Sequence, residues 1–256
     1  EKWPDAGPRV LWKRELGEGY SAILASGGTL YTMYRMGAEE NAVALSADSG
    51  ETRWKFTYAA PLPEKSETNF GKGPNATPLL AGDRLVTVGF AGKVHCLSAA
   101  DGKVIWSTDI AKDLGGTFLQ FGYSSSPLQH KDMVILPVGA KGRSLVALAL
   151  KDGAIRWSSG ELENTYSTPI LIDAGQRKQV TLAAPKCLAG YDADTGELIW
   201  THPFTNQWDT HCTTPVDCGQ GRVFYPSFGG GTLLQLSFSN SGTQVKELWT
   251  TKRVGA

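Results

Sequence analysis

One spacing governs what this chain can become: a glycine followed four residues later by a tryptophan. It occurs as Gly50 to Trp54, Gly102 to Trp106, Gly153 to Trp157 and Gly196 to Trp200. A looser fifth copy ends in Glu247-Leu248-Trp249, with its turn at Asn240-Ser241-Gly242 and three extra residues before the ring. A sixth tryptophan, Trp12 in Arg9-Val10-Leu11-Trp12, opens the series without a turn of its own. Successive members lie 42, 52, 51, 43 and 49 residues apart. A period in that range marks a chain of repeated units, each of which buries its faces only against its neighbours.

Each unit reads as four strands. A short apolar run leads into the glycine turn, as in Ala42-Val43-Ala44-Leu45 and Val94-His95-Cys96-Leu97. The turn is Asp-Ser-Gly, Asp-Gly or Asp-Thr-Gly in the first four copies. Asp caps the local backbone there and Gly takes the positive φ, which is hairpin chemistry. Upstream lies a β-rich run such as Gly82 to Val88, and before it a Ser/Thr-Pro step: Thr77-Pro78, Ser126-Pro127, Thr168-Pro169 and Thr214-Pro215. Proline is tolerated where one strand edge faces a central channel and owes no hydrogen bond. The expectation is an all-β fold, a β-propeller of four-stranded antiparallel blades, formed by residues 1–256 as one domain with five blades and an orphan N-terminal strand at Trp12. The repeating indoles are expected to seal the joints between sheets. The orphan strand finds no spare inner strands at the other end, so the five blades are expected to be part of a larger ring with two uncovered blade faces.

Composition narrows the function. Lys plus Arg and Asp plus Glu are both 25, which argues against a basic nucleic-acid footprint. No window carries the ~18 apolar residues of a membrane helix. The sequence begins at Glu1, so it says nothing of a leader peptide or lipid anchor upstream. Cys96, Cys187, Cys212 and Cys218 contain no C-x-x-C pair and read as buried free thiols, with a local Cys212–Cys218 bridge as the alternative. The four histidines show no metal-ligand spacing, and Gly229-Gly230-Gly231 lacks the lysine and helix of a phosphate loop.

The signature is clearest in Asp192-Ala193-Asp194-Thr195-Gly196-Glu197-Leu198-Ile199-Trp200, which resembles the PQQ-like repeat. That repeat is shared by quinoprotein alcohol dehydrogenases and by BamB-like outer-membrane assembly lipoproteins, and the likeness covers essentially the whole chain. Propellers of BamB type usually have eight blades, so about three are expected to be absent here. The likeness implies a periplasmic or outer-membrane-associated place in a bacterial envelope, other envelope proteins as partners, and room for a lipid anchor in the full-length protein. Quinoproteins of the family clamp PQQ between a tryptophan and a disulfide of two adjacent cysteines, and bind Ca²⁺ through oxygen ligands. No two cysteines are adjacent here. The off-register Trp208, between Asn206 and Asp209, is the one place where such a site is conceivable; an inter-blade loop is the plainer reading.

The resulting expectation is a non-catalytic envelope scaffold with no catalytic, cofactor-binding or metal-binding residues. A fragment of a PQQ- and Ca²⁺-dependent dehydrogenase is the alternative, and a ligand- or carbohydrate-sensing propeller the second alternative. Binding candidates come from two places. Tyr20, Ser21, Tyr123, Ser124, Tyr166, Ser167, His211 and Thr213 precede the innermost strands and are expected around the channel mouth, where hydroxyls and amphipathic rings suit a wet concave site. The longest insertions, Tyr58 to Asn75 and Asp109 to Tyr123, are expected to carry recognition, with Phe118 and Phe121 as partner anchors.

Overall fold

The computed structural model describes residues 7–174, 177–239 and 242–252. Twenty strands form five separate four-stranded antiparallel sheets, each made of consecutive strands. Blade 1 holds β1 (Leu24–Ser26), β2 (Thr29–Met36), β3 (Glu39–Ser46) and β4 (Thr52–Ala59). Blade 2 holds β5 (Leu79–Ala81), β6 (Arg84–Val88), β7 (Lys93–Ser98) and β8 (Val104–Asp109). In blade 3 follow β9 (Leu128–His130), β10 (Met133–Ala140), β11 (Arg143–Ala149) and β12 (Ile155–Ser159). Blade 4 has β13 (Ile170–Ala174), β14 (Arg177–Ala184), β15 (Cys187–Asp192) and β16 (Leu198–Pro203). Blade 5 has β17 (Val216–Asp217), β18 (Arg222–Ser227), β19 (Gly230–Ser239) and β20 (Gly242–Thr251). The chain is a β-propeller, as its repeat requires.

The first strand of every blade is short, and Pro78, Pro127, Pro169 and Pro215 stand immediately before β5, β9, β13 and β17. The missing proline N–H therefore falls outside the ladder. β3, β7 and β11 are buried on both faces because sheets stack on either side, so the consecutive pairs Ala42 and Val43, Cys96 and Leu97, and Val146 and Ala147 are all at most 1 % exposed.

The repeating Gly–Trp element is a keyed joint. In blades 1 to 4 the turn closes with the glycine N–H donating to the carbonyl four residues back, as Gly50 to Ser46 and Gly102 to Ser98. The glycine φ is 71° at Gly50 and 72° at Gly102. A β-carbon at Gly102 would lie 2.6 Å from the Trp54 ring, at Gly153 2.9 Å from Trp106, and at Gly196 2.4 Å from Trp157. Each indole thus lies flat on the turn glycine of the following blade. Trp54 Nε1 donates to Ala99 O at 2.9 Å and Trp106 Nε1 to Leu150 O at 3.0 Å, while the buried Trp157 Nε1 has no partner. Burying an indole removes roughly 200 Å² from water, worth about 5 kcal/mol before the cost of ordering it.

A device the sequence hides aims these rings. In all five blades the register between the third and fourth strands slips one residue before the tryptophan: Ala44 pairs Trp54 while Leu45 pairs Thr52, and Leu233 pairs Trp249 while Leu234 pairs Glu247. Such a bulge bends the outer strand and re-aims the next side chain. The indole is thereby sent into the joint.

Two expectations need correction. The segment around Trp12 is not a strand, since it has no neighbour with which to build a ladder; only an isolated bridge, Glu18 with Arg35, follows it. Trp12 nevertheless docks as a ring, 2.6 Å from a β-carbon position at Gly50, with Nε1 donating to Ala47 O at 2.8 Å. It therefore covers part of the blade 1 face that was expected to be bare. The fifth copy also differs. Trp200 is buried, yet Gly242 has nothing beneath it; Trp200 Nε1 donates instead to Gln179 Oε1 (2.9 Å), whose Nε2 donates to Thr243 Oγ1 (2.8 Å). Asn240 and Ser241 of that turn lie outside the described residues. Trp249, beyond which the described residues form no further sheet, is 44 % exposed.

Candidate functional site

Hydroxyl groups stitch the blades together where the inner strands begin. Thr77 N–H donates to Ser126 Oγ and Ser126 N–H to Thr168 Oγ1, both at 3.0 Å. Ser21 Oγ donates to Ala76 O at 2.6 Å and Ser167 Oγ to Thr213 O at 2.8 Å. Thr213 Oγ1 donates to Pro226 O. The Ser21 and Ser167 hydroxyls are thus occupied between blades, the Thr213 hydroxyl is occupied within blade 5, and Ser167 is fully buried. Tyr123 is also buried: its ring fills the space above Gly92 and meets Phe118 edge-on at 6.0 Å, and burial pushes its phenol pKa up. Of these expected channel-mouth residues, Tyr123 and Ser167 are buried, whereas Ser21 and Thr213 are half-buried with their hydroxyls bonded.

The rest converge. Tyr20, Ser124 and Tyr166 line one hollow of about 540 Å³ together with Glu67, Phe70 and Phe121. His211 lines an adjoining hollow of about 560 Å³ with Phe118, Phe121, Tyr166 and Trp208. The two share Phe121, Tyr166 and Thr210, so they form one groove. The long connections supply its walls: residues 60–78 bring Glu67 and Phe70, and residues 110–127 bring Phe118 and Phe121. Glu67 N–H donates to Gln120 O at 2.7 Å, tying the two connections together. Asn75 Nδ2 donates to Phe121 O at 2.9 Å and Phe121 N–H to Tyr166 Oη at 3.3 Å, which fixes the ring at the centre. Phe118 and Phe121 are half-buried, whereas Tyr20 is 65 % and Phe70 70 % exposed. Phe70 and Glu67 escaped the sequence reading. The only cue was that they lie in the insertion from Tyr58 to Asn75.

His211 sits at the floor, stacked on Phe204 at 5.0 Å with Nδ1 3.3 Å from Ser227 Oγ; burial lowers its pKa. Trp208 is 57 % exposed and meets Phe228 edge-on at 4.5 Å. Asn206 Oδ1 accepts from Trp208 N–H (3.0 Å) and Thr210 N–H (3.2 Å), and its Nδ2 donates to Ser227 Oγ and Thr210 O. Both lone pairs of that amide oxygen are spent on shaping the loop. That oxygen is therefore not free to ligate a cation beside the Trp208 indole. Among the described residues no three His, Cys, Asp or Glu side chains come together as a metal site.

A second polar cluster, unseen in the sequence, lies in blade 1. Arg35 and Glu40 are 2 % and 0 % exposed and pair at 2.9 Å. Arg35 also donates to Lys72 O and Ala60 O, both at 2.7 Å, and Glu40 accepts from Tyr58 Oη (2.5 Å) and Phe90 N–H (3.1 Å). Every group is satisfied, so the cluster anchors the 60–78 connection that carries Glu67 and Phe70. His95 packs beside it, 4.4 Å from the Tyr58 ring; burial first and Lys93 second lower its pKa to about 4.

All four cysteines are free, with Cys96 buried; Cys212 and Cys218 are exposed, contrary to the expectation of buried thiols, because the connection before β17 and the turn after it lie on the surface. No helix among the described residues is long and apolar enough to cross a membrane.

A family profile described as outer membrane protein assembly factor BamB matches residues 38–256. No curated protein matches the sequence. BamB from Moraxella catarrhalis superposes with a TM-score of 0.58 at 20 % identity, over 88 % of this chain and 58 % of that one. A europium-containing methanol dehydrogenase gives 0.60 at 12 % identity, over 90 % of this chain and 61 % of the other. The quinohemoprotein alcohol dehydrogenase from Comamonas testosteroni gives 0.65 at 16 % identity, over 91 % and 43 %. The chain spans less than two thirds of each of these structures, and at such identities the likeness speaks to the fold alone.

Proposed function

The chain belongs to the family of outer membrane protein assembly factor BamB, and from that premise we propose that it is a non-catalytic β-propeller scaffold of a bacterial cell envelope, engaging other envelope proteins through the groove between the two long connections. The five blades then form part of a larger ring. The observation that carries the reading is the groove itself: rings of Tyr20 and Phe70 stand largely in solvent on backbone that is firmly tied, beside half-buried Phe118 and Phe121. Exposed aromatic clusters on rigid scaffolds are the usual material of binding hot spots. Of the side chains that a cation beside a quinone would call on, Asn206 has its amide oxygen committed to loop structure.

Two measurements test it. PQQ with Ca²⁺, added to the purified protein, is expected to cause no saturable change in absorbance, melting temperature or dye-linked alcohol oxidation. A photoreactive residue at Leu119, beside the groove rings, is expected to crosslink a discrete envelope protein in cells, and Phe121→Ala is expected to abolish that crosslink. Quinone-dependent oxidation of an alcohol, or crosslinking indifferent to Phe121, overturns the scaffold reading.

A further inference from the structure

The Phe70 end of the groove combines aromatic rings with negative charge. Its residues include Tyr20, Phe70, Phe121 and Tyr166, with the Glu67 carboxylate, and neither Lys nor Arg is among them. Phe70 meets Phe121 at 5.3 Å and 67°, and Phe121 meets Tyr166 at 6.0 Å and 46°. Tyr20 is set against Gly71, where a β-carbon would lie 2.9 Å from its ring, and Gly71 has φ +99°. The close approach of that ring thus depends on glycine.

Aromatic faces carry negative quadrupole potential, and a carboxylate beside them adds to it, so the chemistry that fits is an organic cation. The adjoining half of the groove extends the same field, with Glu163 and Asp209 against a single lysine, Lys186. A hollow of about 540 Å³ exceeds a guanidinium or ammonium group several-fold, so the cation arrives on a larger body. We propose that the hollow bounded by Tyr20, Phe70, Phe121 and Tyr166 is a recognition pocket for an arginine or lysine side chain of a partner polypeptide, with Glu67 as counter-charge. The inference rests on the scaffold reading and names the chemistry of the partner.

Charge can be separated from shape with two capped five-residue peptides, identical except that one has arginine at its centre and the other citrulline, its neutral isostere. In calorimetric titration at low salt the arginine peptide is expected to saturate and to bind roughly 5- to 10-fold tighter, the range for a partly desolvated cation–π contact. Glu67→Gln is expected to weaken the arginine peptide several-fold and to flatten its salt dependence. Phe70→Leu with Tyr166→Leu is expected to erase the preference while leaving the melting transition in place. Equal binding of the two peptides, binding of neither, or a preference that survives the double variant overturns the proposal. If the pocket fails in this way while the Leu119 crosslink and its dependence on Phe121 persist, the scaffold reading stands without it; loss of both removes both.

Discussion

Replacing Gly102 by alanine separates the docking of an indole from the conformational demand of a turn. Gly102 has φ 72°, and its β-carbon would sit 2.6 Å from the Trp54 ring. Gly82, in the same blade, has φ 62° with nothing within 4 Å of the equivalent position. Alanine at either site incurs the left-handed penalty of about 1–2 kcal/mol, offset by a few tenths through the stiffer unfolded chain. At Gly102 alone the ring must also retreat. Overpacking costs about 1–3 kcal/mol, and the Trp54 Nε1 bond to Ala99 O, now 2.9 Å, is worth about 1 kcal/mol. Gly102→Ala is therefore expected to destabilise by about 2–4 kcal/mol more than Gly82→Ala. Urea unfolding followed by far-ultraviolet circular dichroism gives the comparison without relying on the displaced indole, and a red-shifted tryptophan emission should accompany Gly102→Ala only. Equal midpoints for the two variants would refute the idea that the glycine is there to seat the ring.

Glu40→Gln leaves the Arg35 charge, 2 % exposed, without its carboxylate; a loss of about 3–5 kcal/mol is expected by denaturant titration, with Arg35→Met plus Glu40→Gln costing less than the sum of the single changes. His95 holds its proton less tightly in the folded chain, at about 4 against an ordinary 6.5. Its contribution is whole above pH 6.5 and drains as pH falls from 6.5 to 4, by about 3 kcal/mol in all. His95→Gln should flatten the drop in stability between pH 7 and pH 4.5; a variant that loses stability as steeply as the parent contradicts this origin. Under native conditions a thiol reagent should modify the exposed Cys218 quickly and Cys212, whose thiol pKa burial raises, more slowly. Cys96, whose pKa burial pushes up to about 11, should react only after unfolding.

The architecture was legible because its cause is local and repeated. A positive-φ glycine four residues before a tryptophan writes the turn, the strand and the docking ring into one short string, and the Ser/Thr-Pro steps mark four of the five inner strands. What the string does not contain is the partner of each group across space. The bulge before every tryptophan depends on how β4 pairs with β3, and Gln179 substitutes for a turn carbonyl only because β14 passes under Trp200. Tyr123 looked like a channel residue by its position and proved to be a joint residue, because Gly92 clears room for its ring from a different strand connection. The groove was half visible: Tyr20, Ser124, Tyr166 and Phe121 were foreseen, but Glu67 and Phe70 reach them only after a long connection folds back on another. Arg35 and Glu40 gave no sign at all, five residues apart on either side of a hairpin turn.

The indole-on-glycine joint has a direction, since each sheet presents a ring forward and receives one from behind. The same plug and socket recur from blade 1 to blade 4, where Trp54, Trp106 and Trp157 each seat on the turn glycine of the next sheet, so a whole unit gained or lost there would present its neighbours with the same kind of surface. The union of the fourth and fifth sheets, where Gln179 relays the bond to Thr243, does not share that standard fitting; it fixes the order of these two modules, and exchanging either one would require its neighbour to change with it.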